Sequence, residues 1–226
     1  MASVVSSVGA ANNADLSSYT TAAFTPQAGD LLVMNVIASG SVTTGTVTDT
    51  QNLGWTLIGT VNDGTNSISM FYAQRTASAQ SMTVTWDCTA DPATGARVGV
   101  IGFRGSDATL RQFATGSGGA GTAPTVTLPA AAITFNPLYA LMGSTTNPAA
   151  ITPTTGWTEI ADAGWANPTT GFQLQRINSG ETNSVIAWGS NSATAWIAMV
   201  IEFWDSTDAP GAQPYNYIDA YYGVVI

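Results

Sequence analysis

Glu159, Glu181 and Glu202 are the residues of this chain most suited to acid–base chemistry. Two carboxyl groups flanking a glycosidic bond cleave it when one is protonated, the other ionised, and the two stand at a set separation. Nothing marks any two of these glutamates as such a pair. An earlier, similar stretch of the chain carries Leu57 where Glu159 stands and Gly102 where Glu202 stands. The rest of the catalytic repertoire is thin. Histidine is absent, which removes the usual general base, the commonest metal ligand and the Ser-His-Asp route together. Lysine is absent too, and with it Schiff-base chemistry. Cys88 is the single cysteine, so no intrachain disulfide forms; without a histidine partner it reads as a small buried apolar residue. Asp87 and Asp91 in "WDCTADPATG" offer oxygens to Ca²⁺ but lack the dense Asp/Asn/Gly loop of a dedicated site. "GSGGAG" lacks the Gly-Lys-Ser/Thr ending of a phosphate loop. The expectation is therefore no enzyme activity, no cofactor and no metal.

One aromatic invites a binding role. Trp165, in "DAGWANPTTG", stands beside Asn167 where the earlier stretch has only the Asn62-Asp63-Gly64 turn. As a loop residue it offers a ring face to a sugar, and it is the candidate glycan contact; packing beneath a neighbouring loop or subunit is the other reading.

The composition narrows the partners. Charged residues make up 8% of the 226 residues, against 45% aliphatic and aromatic, and the net charge is −9. That charged fraction is about a third of the usual one. The five basic residues are all arginine: Arg75, Arg97, Arg104, Arg111 and Arg176. So acidic a surface argues against nucleic acid and anionic membrane as partners. Arg97, Arg104 and Arg111 alternate with apolar and acidic residues and are expected to be solvated or in salt bridges. The first residues show neither a basic n-region nor a long apolar run, so no secretory signal is expected.

The elements that must position these residues read as strands. In "SMTVTWD", Met82, Val84 and Trp86 share one face and Thr83 and Thr85 the other. Asp63-Gly64 marks a hairpin, and no stretch shows capped helical periodicity. Several phrases occur twice. "GWTLI" matches "GWTEI"; "FYAQR" (71–75) matches "FQLQR" (172–176); "VTW" matches "IAW"; "VGVIGF" (98–103) matches "AMVIEF" (198–203); and "DLLVMNVIAS" matches "PLYALMGSTT". The preserved order indicates an internal duplication. Ten to twelve short strands are expected, forming an all-β, antiparallel two-sheet sandwich, jelly-roll-like. The halves span about 18–105 and 122–204, joined by a Gly-rich connector at 114–125, and fuse into one pseudo-symmetric domain over 1–209. Gly54 and Gly156 are expected to turn the chain sharply into a strand, with Trp55 and Trp157 covering an end of the core.

Two features point to contact with other chains. In "AWIAMVIEFW" the face bearing Trp196, Ala198, Val200, Glu202 and Trp204 is mostly apolar where a solvated face would be polar, so long loops or another chain must cover it. Residues 210–226 carry Tyr215, Tyr217, Tyr221, Tyr222, Val224, Val225 and Ile226, an apolar and β-prone segment that calls for a groove or a sheet edge, as an arm or a final strand. Trp196, Trp204 and these seven residues are the candidate partner interface.

The pieces "AGDLLVMNV", "GWTLI", "MFYAQR", "MTVTW", "GWTEI" and "VIEF", spread over most of the chain, resemble β-sandwich structural proteins of tailed bacteriophages. The resemblance implies a virion component, either a capsid decoration (cement) protein or a tail-associated one, and transfers no catalytic residues. The expected role is capsid decoration as a homo-oligomer in contact with capsid or other virion proteins, located on the virion after synthesis in the host cytoplasm. The alternative is a tail-associated receptor- or carbohydrate-binding module with a glycan as ligand.

Overall fold

The computed structural model describes residues 3–12, 16–40, 45–88, 95–104, 106–144, 151–166 and 169–205. Their regular elements are all strands. The first eight are β1 (Ser3–Asn12), β2 (Ser18–Thr20), β3 (Leu31–Ser39), β4 (Thr46–Asp49), β5 (Thr56–Asn62), β6 (Asn66–Gln74), β7 (Val84–Asp87) and β8 (Ala96–Arg104). Then come β9 (Ser106–Gly118), β10 (Thr125–Thr127), β11 (Leu138–Ser144), β12 (Thr158–Ala166), β13 (Thr169–Ile177), β14 (Val185–Ala187) and β15 (Trp196–Asp205). The fold is all-β and antiparallel. It holds fifteen strands among the described residues rather than ten to twelve, in four sheets rather than two.

Two five-stranded sheets, β1-β8-β3-β6-β5 and β12-β13-β11-β15-β9, form the centre. Between them lies a core drawn from both: Leu31, Val33, Ile37, Ile101 and Phe103 meet Tyr139, Leu141, Phe172, Leu174, Met199 and Phe203. The three-stranded sheet β2-β7-β4 covers the far face of the first large sheet, enclosing Leu32, Met34, Val36, Trp86, Cys88, Val98 and Val100. The β10-β14 pair similarly covers the second, enclosing Ala140, Met142, Trp188, Trp196, Ala198 and Val200. This explains why β3 and β15 read as near-continuous apolar runs, interrupted inside by Asn35 and Glu202: a strand sandwiched on both faces has no solvated side. The cover over the apolar face of β15 is thus its own chain.

The strand orders of the two large sheets coincide when each is followed from its first strand, β1-β8-β3-β6-β5 against β9-β15-β11-β13-β12. β1 and β9 are therefore integral edge strands, and both fall outside the expected spans 18–105 and 122–204. The repeated Gly-Trp-Thr precedes the same irregularity in both sheets. A bulge lies between Leu57 and Gly59 in β5 and between Glu159 and Ala161 in β12. It aims Ile58 and Ile160 into the central core. Thr56 then pairs with Tyr72, and Thr158 with Arg176. Register consequently sets Phe71 opposite Leu57 and Gln175 opposite Glu159, so the "FYAQR"/"FQLQR" match stands three places out of structural correspondence. Phe71 packs under the three-stranded sheet, whereas Phe172 packs in the central core.

The left-handed backbone that starts these strands comes from different residues. Gly156 has φ +84° as expected, but in the first half Asn52 (φ 55°) takes that role and Gly54 does not. Asp63 and Gly64 do turn the β5–β6 hairpin: Gly64 has φ +84°, and the Asp63 carboxylate accepts from the amides of Thr65 and Asn66.

The expected connector is half strand. Ala114 to Gly118 pair with Val200 to Trp196 as the second half of β9. Its glycines are there for room: a Cβ on Gly118 would stand 2.4 Å from the Trp196 ring, and one on Gly116 would stand 2.5 Å from the carbonyl oxygen of Thr125.

Candidate functional site

The carboxylates that suggested catalysis are held within the structure. Glu202 is wholly buried on the outer face of β15. It accepts from Arg111 Nη1 and Gln112 Nε2 on β9, from the Ile133 amide at 2.9 Å, and from Asn136 Nδ2 at 2.7 Å. Four donors, one of them cationic, offset the cost of burying that charge. Glu181 accepts from Trp157 Nε1 at 2.9 Å, from Asn183 Nδ2 and from the amides of Thr182 and Asn183. Burial pushes its carboxyl up, but these bonds together outweigh it and hold the group below the ordinary carboxylate range. Glu159 accepts a long 3.3 Å bond from Gln173 Nε2. In the first half Asp49 accepts from Trp55 Nε1 at 2.8 Å, and Asp30 forms a forked pair with Arg104 at 2.9 and 3.2 Å. Trp55 and Trp157 each cover the outer core of their half with the indole N–H on a carboxylate.

Arg97 departs from the expected solvated or salt-bridged arginine. It is buried between the two large sheets, donates to Asn35 Oδ1 at 2.7 Å and lies 4.0 Å from the ring centroid of Phe172. Burial pushes its guanidinium pKa down, partly offset by Tyr139. Burial pushes the Tyr139 phenol far up, so that it stays neutral.

An open groove of about 670 Å³ runs along the first half of β9, lined by Leu110, Arg111, Gln112, Phe113, Pro129, Ala130 and Trp204. A bulge places Arg111 between Leu110, paired with Phe203, and Gln112, paired with Glu202. Phe113 crosses to the other sheet and packs on Gly59, yet stays 38% exposed. The polar side chains along the groove face inward. Gln112 exchanges hydrogen bonds with both backbone groups of Ala130 and donates to Glu202; Arg111 pairs with Glu202 and lies 5.7 Å from the ring centroid of Trp204. The groove therefore presents mainly apolar surface along a sheet edge.

The structure separates the sequence-derived candidates. Trp196 is 4% exposed, donates to Thr122 Oγ1 and packs on Gly116 and Gly118, so its place is the core of its own half and not a partner interface. Trp204 is half-buried and forms a wall of the groove. Trp165 lies in strand β12 rather than in a loop, with its backbone opposite Thr170, one residue from the end of the strand. Cys88 is buried, as its apolar reading required. Asp91 and residues 210–226, with Tyr215, Tyr217, Tyr221, Tyr222, Val224, Val225 and Ile226, lie outside the described residues. No group of three potential metal ligands occurs among the described residues. Nor is any described helix long and apolar enough to cross a membrane. Sequence reasoning missed Leu110 and Phe113. Their signal was an apolar residue on each side of "RQ", immediately before the stretch taken for a connector.

Comparison of the chain with protein-family models, with curated proteins and with solved structures finds no match in any of the three.

Proposed function

We propose that this chain is a non-enzymatic structural component of a tailed-phage virion, decorating the capsid and stabilising it through oligomeric contacts and a C-terminal arm. The observation that carries the reading is the groove along β9. Its cation and its acid are bonded to each other, and what it offers outward is aromatic and aliphatic surface on an edge strand. Such a surface suits contact with protein. Phe135, 55% exposed, and Val185, 50% exposed, add apolar surface on the same half. The resemblance of "AGDLLVMNV", "GWTLI" and "VIEF" to phage structural proteins supplies the setting.

The test is binding to particles of the encoding phage. The full chain co-sediments with them, and a chain lacking residues 214–226 does not. Full occupancy by the shortened chain would remove the arm from the account, and no binding by the intact chain would remove the decoration role.

A further inference from the structure

We infer that the groove along β9 is the seat of this chain's own segment 215–226. The groove's chemistry selects the class of occupant. Gln112 and Arg111 are bonded to Ala130 and Glu202, leaving Leu110, Phe113, Pro129, Ala130 and Trp204 as the contact surface. A sugar needs outward-facing hydrogen-bonding groups, whereas an apolar, aromatic peptide needs this kind of surface. The edge supplies the second half of such a site. β9 is the outermost strand of its sheet, and beyond the stretch that packs on β10 its first half has no neighbouring strand on its outer side among the described residues; an edge strand of that kind accepts an added strand.

Connectivity selects the occupant. Trp204 is at once a wall of the groove and the penultimate residue of β15, and Asp205 pairs with Ser106 at the start of β9. "YNYIDAYYGVVI" follows after residues 206–214, a tether whose extended reach is roughly 30 Å. A tether this short holds the segment at an effective concentration of about millimolar, so a modest contact suffices to seat it. Seating it would bury tyrosine and valine side chains against Phe113 and Trp204 and pair the exposed edge. The seat does not depend on the virion reading. Swapping the segment onto the same groove of a neighbour would nevertheless give the oligomeric contact proposed above.

The test is amide hydrogen exchange of the full chain, followed by mass spectrometry and compared with a synthetic peptide of residues 214–226. Amides of 215–226 are expected to exchange at least about tenfold more slowly in the chain than in the peptide. Phe113→Ser and Trp204→Ala should each abolish that protection while leaving exchange in β3 and β11 unchanged. Excess free peptide should displace the segment in the unmutated chain, a readout independent of how the variants fold. Exchange at the free-peptide rate, protection that survives both substitutions and the competitor, or protection that appears only as the chain self-associates would each overturn the inference.

Discussion

The guanidinium of Arg97, on β8, lies 4.0 Å from the ring centroid of Phe172, on β13, and so joins the two large sheets through their shared core. Desolvated cation–π pairs are worth about 2 kcal/mol. A double-mutant cycle of Arg97→Met and Phe172→Leu should return coupling of that order, within a single urea transition. Absence of coupling would mean that the pair is only a contact, and two separate transitions would mean that the sheets do not fold as one.

Gly118 and Gly119 distinguish a strand from a linker. A Cβ on Gly118 would stand 2.4 Å from the Trp196 ring, whereas one on Gly119 would meet nothing within 4 Å. Gly118→Ala should lower unfolding free energy by about 1–3 kcal/mol, the usual cost of overpacking. Gly119→Ala should change it by no more than about 0.5 kcal/mol. Equal effects in denaturant titration would return the stretch to a linker.

That same stretch shows where the sequence was readable. Alternation in 82–86, the Asp63-Gly64 hairpin and the absence of helical periodicity all belong to short-range physics, and the all-β class followed from them. Glycines at 116–118 look the same in sequence whether they loosen a chain or make room for an indole, because the deciding residue, Trp196, is distant in sequence. Register was unreadable for a related reason. A bulge at Ile58 and another at Ile160 shift the pairing by one residue each, and the side chains alone do not announce it. Arg97 was read as solvated or salt-bridging because Arg97, Arg104 and Arg111 alternate with apolar and acidic residues in the sequence; its partners Asn35 and Phe172 come from other strands. The groove was illegible because its walls come from β9, β15 and the segment around Pro129.

Glu181 links stability to pH through Trp157. With its carboxyl held below the ordinary 4.5, its contribution to stability is complete above that value and is lost as pH falls through the folded-state value. Trp157→Phe keeps the ring but removes one donor to a charged group, which should cost about 1.5–3 kcal/mol near pH 7. The gap between wild type and variant should narrow in acid. Urea titrations at pH 7 and pH 3 check this, and a gap that stays constant would show that the indole contributes by packing alone.

Glu202 should behave as a structural hub. Glu202→Ala leaves Arg111, Asn136 and the Ile133 amide without their acceptor, and should destabilise the fold by about 3–5 kcal/mol. Glu202→Gln keeps the shape and should cost less. A residue serving catalysis instead would tolerate either change in thermal unfolding while losing turnover.

The most direct test of the central claim, that the chain works as a building element of a particle, is its copy number in purified virions measured by quantitative mass spectrometry. The account predicts a fixed whole-number ratio to the major capsid subunit that survives gradient purification. Absence from particles, or a trace and variable amount, would contradict it.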